Sequence, residues 1–297
     1  MYDITGTYKA QTAEEALELL REHPGAVLVS GGTDVFVKLK NRKLKNAELI
    51  YIREITDLSG IQILSNGTIR IGAATPFDEI CCSSELRERI PALCEACNQV
   101  GSPQIRNIAT IGGNLCNGAV SDDSIPILLV YDAELEILSE CGTHILPVTK
   151  FHTGPGRTVL DSHREIVTAV VIHPEHYRNV SAAYTKFGQR NAMEIATIGC
   201  AASVRLDKDK KYIEQLHLAF GVAAPTPVRT VKLENAVKGM EAGAQLYQYV
   251  EKHVLEELHP RDSWRASLEL REQLIRTLSV RTIKTAIARQ GKSDREA

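Results

Sequence analysis

The chain has 297 residues, 43% of them hydrophobic, and a formal net charge of −2. That length and apolar content suffice for a full core and suggest two domains. The near-neutral charge excludes nucleic acid or an anionic membrane as the main partner. No apolar run reaches the length of about 18 residues that marks a membrane-spanning helix. The Met1-Tyr2-Asp3 start lacks a secretory pattern, and seven cysteines, an odd number, read as the reduced thiols of a cytoplasmic protein.

In chain order, Tyr8 to Ala10 reads as a first strand. Thr12 then caps a helix, with Glu15 in capping-box position and Ala16, Leu17, Leu19 and Leu20 on its apolar side. His23-Pro24-Gly25 ends it. Ala26–Val29 returns as a strand and runs into Ser30-Gly31-Gly32-Thr33-Asp34. Adjacent glycines admit positive φ and let backbone N–H groups approach a ligand. Thr33 and Asp34 are placed to cap a helix over Val35–Lys40, so this turn reads either as a phosphate cradle or as a tight turn with no ligand. The spacing is not that of the dinucleotide fingerprint. Strand, helix and strand form a βαβ unit, which puts the turn at the carboxyl end of a parallel strand. Leu49–Ile52 is a third apolar run, and the first subdomain ends near Asp57.

Ile61–Leu64 and Thr68–Ile71 flank Asn66-Gly67, a hairpin signal. Thr75-Pro76 opens a helix through Cys82, and Pro91–Val100 forms another. Ala109-Thr110-Ile111-Gly112-Gly113-Asn114 then repeats the strand-like approach to a glycine pair. Two such turns could hold the two ends of one diphosphate. Ile125–Tyr131 and Glu134–Leu138 alternate like sheet edges, Phe151–Gly156 is a turn, and Glu165–Ile172 is a strand containing Ile166 and Val167. Tyr184–Phe187, Ala196–Arg205 and Glu214–Phe220 are further strands, with Asp207–Lys211 a hairpin tip. Thr230–Lys238, Ala244–Leu258 and Ser267–Arg289 are helical, and the tail beyond Gln290 is polar.

Several chemical groups have a bland and a functional reading. Asp122-Asp123 is an exposed acidic turn or cap, or a ligand contact, and two sequential carboxylates do not easily share one metal ion. Lys186, on a strand otherwise suited to burial, reads by itself as a solvated lysine on an edge strand. Cys94-x-x-Cys97 lacks a second pair for zinc or an iron–sulfur cluster and reads as helix packing, as do the remaining cysteines. No nucleophile motif, metal spacing or Walker loop is present. Trp264, the single tryptophan, packs or docks a partner.

The motifs from Val27 to Asp34 and from Arg106 to Asn114, the Asp123 and Lys186 contexts, Phe151–Gly156 and Gly221–Arg229 follow one another in a familiar order. Together they make the chain, from Tyr2 to about Ala288, resemble the FAD-binding subunits of molybdenum hydroxylases, within the carbon monoxide dehydrogenase flavoprotein family and nearest its xanthine dehydrogenase type. The resemblance implies an α+β fold. An FAD-binding domain of the vanillyl-alcohol-oxidase/PCMH type would cover residues 1–176, a small βαβ subdomain (about 1–57) and a mixed-sheet subdomain (58–176). A C-terminal domain of antiparallel sheet and helices over 177–290, of the carbon monoxide dehydrogenase flavoprotein type, and a tail over 291–297 would follow. It implies FAD contacts from Val27, Leu28, Val29, Ser30, Gly31, Gly32, Thr33, Asp34, Ala109, Thr110, Ile111, Gly112, Gly113, Asn114, Asp123 and Lys186, with Ile166 and Val167 lining the ring.

The same resemblance implies electron transfer from [2Fe–2S] clusters on a partner to FAD and then to NAD⁺. Molybdopterin and the clusters would reside on two partner subunits, in a heterotrimer or a dimer of heterotrimers, with no metal and no catalytic acid–base pair on this chain. Xanthine or hypoxanthine is the first expectation for the complex; nicotinate, an aldehyde or carbon monoxide are alternatives. So are a stand-alone FAD-dependent reductase or oxidase of the same fold and a scaffold with empty turns.

Overall fold

A computed structural model describes residues 2–190 and 192–290. It is a mixed α+β structure that divides into two compact units interleaved along the sequence. The first takes in Met1–Ile80, Ser102–Gly118 and Ala133–His173; the second takes in Cys81–Gly101, Ala119–Asp132 and Pro174–Ala297.

In the first unit, strands β1 (Ile4–Lys9), β2 (Val27–Val29) and β3 (Ala47–Tyr51) form a parallel sheet in the order β1-β3-β2. The third strand inserts between the first two, so the expected strand–helix–strand unit does not pair its own strands. Helix Ala13–Glu22 starts where Thr12 accepts the Glu15 amide at 3.1 Å, and the Glu15 carboxylate accepts the Gln11 amide at 2.6 Å. Its Ala13, Ala16 and Leu20 enter a core with Ala10, Ile50, Ile55, Leu58 and Ile166.

The rest of the unit is built on an antiparallel sheet of β4 (Ile61–Ile63), β5 (Ile69–Gly72), β6 (Glu134–Ser139), β7 (Gly142–Pro147) and β10 (Glu165–Ile172), ordered β4-β5-β10-β6-β7. A small hairpin of β8 (His152–Gly154) and β9 (Arg157–Thr158) lies where a plain turn was expected. The β4–β5 hairpin turns at Asn66-Gly67: the Asn66 side chain accepts the Thr68 amide at 2.9 Å, and Gly67 has φ +92°.

The second unit is layered. Strands β11 (Ser181–Phe187), β12 (Ile198–Leu206), β13 (Ile213–Gly221) and β14 (Val228–Arg229) form an antiparallel sheet in sequence order. Helix Leu268–Gln290 packs on the face bearing Thr185, whose hydroxyl accepts that of Thr282 at 2.9 Å. Helix Ser124–Val130 covers the other face, where Ser203 donates to the Val130 carbonyl at 2.8 Å.

That second helix corrects a sequence expectation, since Ile125–Tyr131 was read as a sheet edge. All seven residues of Ser124–Val130 are buried, so the segment carries no polar alternation. A continuous apolar run cannot be sorted into strand or helix by period alone. Pro126 is the tell: it is tolerated in a first helical turn and excluded from a central strand.

Replacing Leu20, fully buried in the first unit, with alanine is expected to lower the unfolding free energy by about 2–5 kcal/mol. Trp264→Ala should change it by no more than about 1 kcal/mol, because Trp264 is 82% exposed and its visible partner is the Arg265 guanidinium 4.3 Å from the ring. Urea denaturation of both variants checks the contrast.

Candidate functional site

Strand β2 is held by β3 through Val27 opposite Leu49, Leu28 opposite Ile50 and Val29 opposite Tyr51. It delivers the chain into Ser30–Asp34 at its carboxyl end, as the strand order requires. Gly32 has φ +73°, the left-handed conformation that turns the backbone toward helix Val35–Lys40. Asp34 occupies the cap position of that helix but makes no side-chain cap bond, contrary to expectation.

The donors of this turn are unclaimed. Among the described residues, the amides of Gly31, Gly32, Thr33 and Asp34 donate to no acceptor. The Ser30 hydroxyl is buried and likewise has no hydrogen-bond partner. A buried polar group left unpaired costs about 1–3 kcal/mol. That cost falls on the Ser30 hydroxyl; the four amides, on residues that run from buried Gly32 to exposed Asp34, place donors with no protein acceptor beside it, a set that an anion can use.

The second turn is adjacent to the first. A Cβ on Gly31 would lie 1.9 Å from the Ile108 carbonyl oxygen and 2.9 Å from the Ala109 Cα. The absence of a side chain at residue 31 therefore brings the backbone of one turn onto the approach to the other. The second turn's own donors are largely taken: Ile111 N–H bonds Thr75 O at 3.1 Å, Gly112 N–H bonds Ala73 O at 2.8 Å, and Gly113 N–H bonds Thr110 Oγ1 at 3.3 Å.

Gly112 is also a packing glycine, since a Cβ there would lie 2.5 Å from that of Ala73. Gly113 is different. It is exposed, and the only atom within 4 Å of a Cβ there would be its own cap, Thr110 Oγ1, at 3.0 Å. The two turns thus divide the work: the first presents donors and the second presents room. Asn114 is half-buried beyond them, and Ile166 and Val167 on β10 are packed side chains, 1% and 4% exposed.

The other two predicted residues lie in the second unit. Asp123 caps helix Ser124–Val130 by position, yet its carboxylate makes no cap bond and is only 6% exposed. Lys186 Nζ donates to Asp123 Oδ2 at 2.7 Å and to the Gln99 carbonyl at 3.0 Å. Tyr184 Oη donates to Asp123 Oδ1 at 2.7 Å. Burial pushes the Asp123 carboxyl up, and the Lys186 ammonium and the two hydrogen bonds oppose the shift. One donor on each oxygen is the arrangement an ionised carboxylate accepts.

Lys186 is therefore not the solvated lysine of an ordinary edge strand, nor an isolated cation. Its charge is paired, so what it offers a ligand is a directed N–H in a near-neutral pair. Tyr184 and Gln99 were missed as functional candidates. A signal for Tyr184 existed, because residues 184 and 186 share one face of a strand; nothing local pointed to the Gln99 carbonyl.

Cys94 and Cys97 are buried, with burial raising the Cys94 thiol to about 11 and the Cys97 thiol well above the usual range. Thiols so disfavoured as thiolates are packing groups. Cys82, Cys116 and Cys141 are exposed.

Comparison with known proteins identifies the family. Residues 3–176 match the family described as FAD binding domain in molybdopterin dehydrogenase, and residues 182–286 match the CO dehydrogenase flavoprotein C-terminal domain. The chain therefore belongs to the FAD-binding flavoprotein subunits of the molybdenum hydroxylases, which are oxidoreductases. It is 41% identical over 291 residues to the xanthine dehydrogenase FAD-binding subunit of Escherichia coli O157:H7, covering 98% of this chain and 99% of that subunit. Its identity to the nicotinate dehydrogenase FAD-subunit of Eubacterium barkeri is 35% over 205 residues, 67% of this chain and 68% of that subunit. The fold superposes on carbon monoxide dehydrogenase from Hydrogenophaga pseudoflava with a TM-score of 0.91 at 24% identity, covering 97% of this chain and 99% of that one.

Two glycine variants separate the roles of the turns. Gly31→Ala should cost about 1–3 kcal/mol of stability, because a methyl cannot share space with the Ile108 carbonyl. Gly113→Val should cost no more than about 1 kcal/mol of stability, through the Thr110 cap it crowds, yet cut bound FAD, read by absorbance near 450 nm, by more than about tenfold. A stable Gly31→Ala protein, or a Gly113→Val protein as yellow as the parent, contradicts the division.

Proposed function

We propose that this chain is the FAD-binding subunit of a xanthine dehydrogenase-type complex, passing electrons that arrive from [2Fe–2S] clusters on a partner subunit to NAD⁺. The observation that carries the cofactor assignment is the unclaimed donor set of Ser30–Asp34, lying against the turn that contains the open Gly113. Amides of Gly31, Gly32, Thr33 and Asp34 and the Ser30 hydroxyl bind the diphosphate oxygens, and Val27–Val29 position them. Ala109–Asn114 closes the other side, with Thr110 holding the turn and Gly113 leaving space.

In the second unit, Asp123 and Lys186 are assigned to the flavin end, where the third N–H of the ammonium is free to donate. Ile166 and Val167, whose side chains are packed within the first unit, are assigned beside the ring by their place on β10. FAD, when bound, supplies the redox chemistry, accepting electrons and donating hydride. The chain's own task is to bind and orient it, so a catalytic acid–base pair is not required.

The xanthine assignment is supported by end-to-end similarity to the Escherichia coli subunit, and the shorter match to a nicotinate dehydrogenase subunit names the chief competitor. The partners in this reading are a molybdopterin subunit and a [2Fe–2S] subunit, and NAD⁺ as acceptor suits a cytoplasmic complex.

Purification of the intact complex tests the reading. It should absorb near 450 nm, bleach with xanthine under anaerobic conditions and recover colour on addition of NAD⁺. Bleaching by nicotinate and not xanthine overturns the substrate, recovery with oxygen or ferredoxin but not NAD⁺ overturns the acceptor, and a colourless chain that takes up no FAD overturns the cofactor.

A further inference from the structure

Tyr184 stands two residues before Lys186 on β11, so both project from one face of the sheet. Its ring is 7% exposed and its hydroxyl reaches Asp123 Oδ1, while Lys186 takes Oδ2. The neighbouring strand is cleared for that hydroxyl. Gly199 on β12 pairs with Lys186, and a Cβ there would lie only 2.8 Å from Tyr184 Oη. Burial, and after it the Asp123 charge, push the Tyr184 phenol well above its usual range, so it remains a donor.

Geometry gives this hydroxyl more to do than satisfy a buried atom. A carboxylate gripped through one oxygen can turn about its Cβ–Cγ bond, and the ammonium bound to it moves as it turns. Gripped through both oxygens by two buried donors, the carboxylate plane is fixed. Lys186 is then anchored twice, at Asp123 and at the Gln99 carbonyl, which aims its remaining N–H.

We propose that Tyr184 is a positioning residue for bound FAD: through Asp123 it fixes the direction of the Lys186 ammonium, and the missing side chain at Gly199 is the notch that admits its hydroxyl. This rests on the assignment of Asp123 and Lys186 to the flavin made above. The side chain acts through another and has no proton-transfer role of its own.

The test uses the intact complex carrying Tyr184→Phe, Gly199→Ala or Lys186→Met. For each, the FAD dissociation constant, the absorption spectrum of the bound flavin and its midpoint potential are measured, with the thermal midpoint as a control on folding. Tyr184→Phe removes only the hydroxyl and should weaken FAD binding about tenfold or shift the potential by about 30 mV, the two-electron equivalent of a tenfold preference. Gly199→Ala retains the phenol but displaces its oxygen, and it should reproduce the same spectral and potential changes.

If both variants match the parent in affinity, spectrum and potential while Lys186→Met does not, the positioning role is wrong and the flavin assignment stands. A fall in thermal midpoint alone for Tyr184→Phe also overturns it. If Lys186→Met leaves the flavin unchanged too, the assignment of this cluster to FAD fails with it.

Discussion

A contact between two stretches of backbone governs the candidate site. Residue 31 lies so near the Ile108 carbonyl that no side chain fits between them, and this closeness turns two separate bends into one feature. It is steric, and therefore less forgiving than a charge pair: a methyl group at 1.9 Å cannot be screened or rotated away, whereas an exposed ion pair contributes about 1 kcal/mol or less. The β3 strand placed between β1 and β2 sets where the first bend emerges. Hydrogen bonds from Ile111 and Gly112 to the Ala73–Thr75 segment set where the second lies.

The electrostatics of the two units differ in kind. The first presents neutral backbone donors with no protein acceptor, and oriented N–H dipoles of that kind suit an anion. The second presents a formal ion pair, Asp123 with Lys186, in which both carboxylate oxygens accept a hydrogen bond and the ammonium donates two. Such a pair contributes direction more than field.

Much of this was legible in the sequence because the relevant signals are local. A β-branched run breaking into Gly31-Gly32, an Asn66-Gly67 hairpin and a Thr12 cap each follow from neighbours within a few residues. The roles of individual glycines were not legible. Gly112 and Gly113 are identical in the chain, yet one packs on the Ala73 backbone and the other meets the Thr110 hydroxyl of its own helix cap, a difference set by a segment some forty residues earlier. Helix Ser124–Val130 was misread because full burial erased its polar face. Tyr184 was overlooked because its partner lies 61 positions away, and no spacing rule reaches that far.

Membership of the flavoprotein family fixes the class of cofactor, and the amides without an acceptor are where we propose that this chain grips it. The most direct measurement is a titration of the isotopically labelled chain with FAD, followed by backbone amide resonances. The account predicts that the amides of Gly31, Gly32, Thr33 and Asp34 shift strongly on binding, while those of Ile111 and Gly112, already bonded within the protein, move little. Saturable FAD binding that leaves residues 31–34 unperturbed would contradict it.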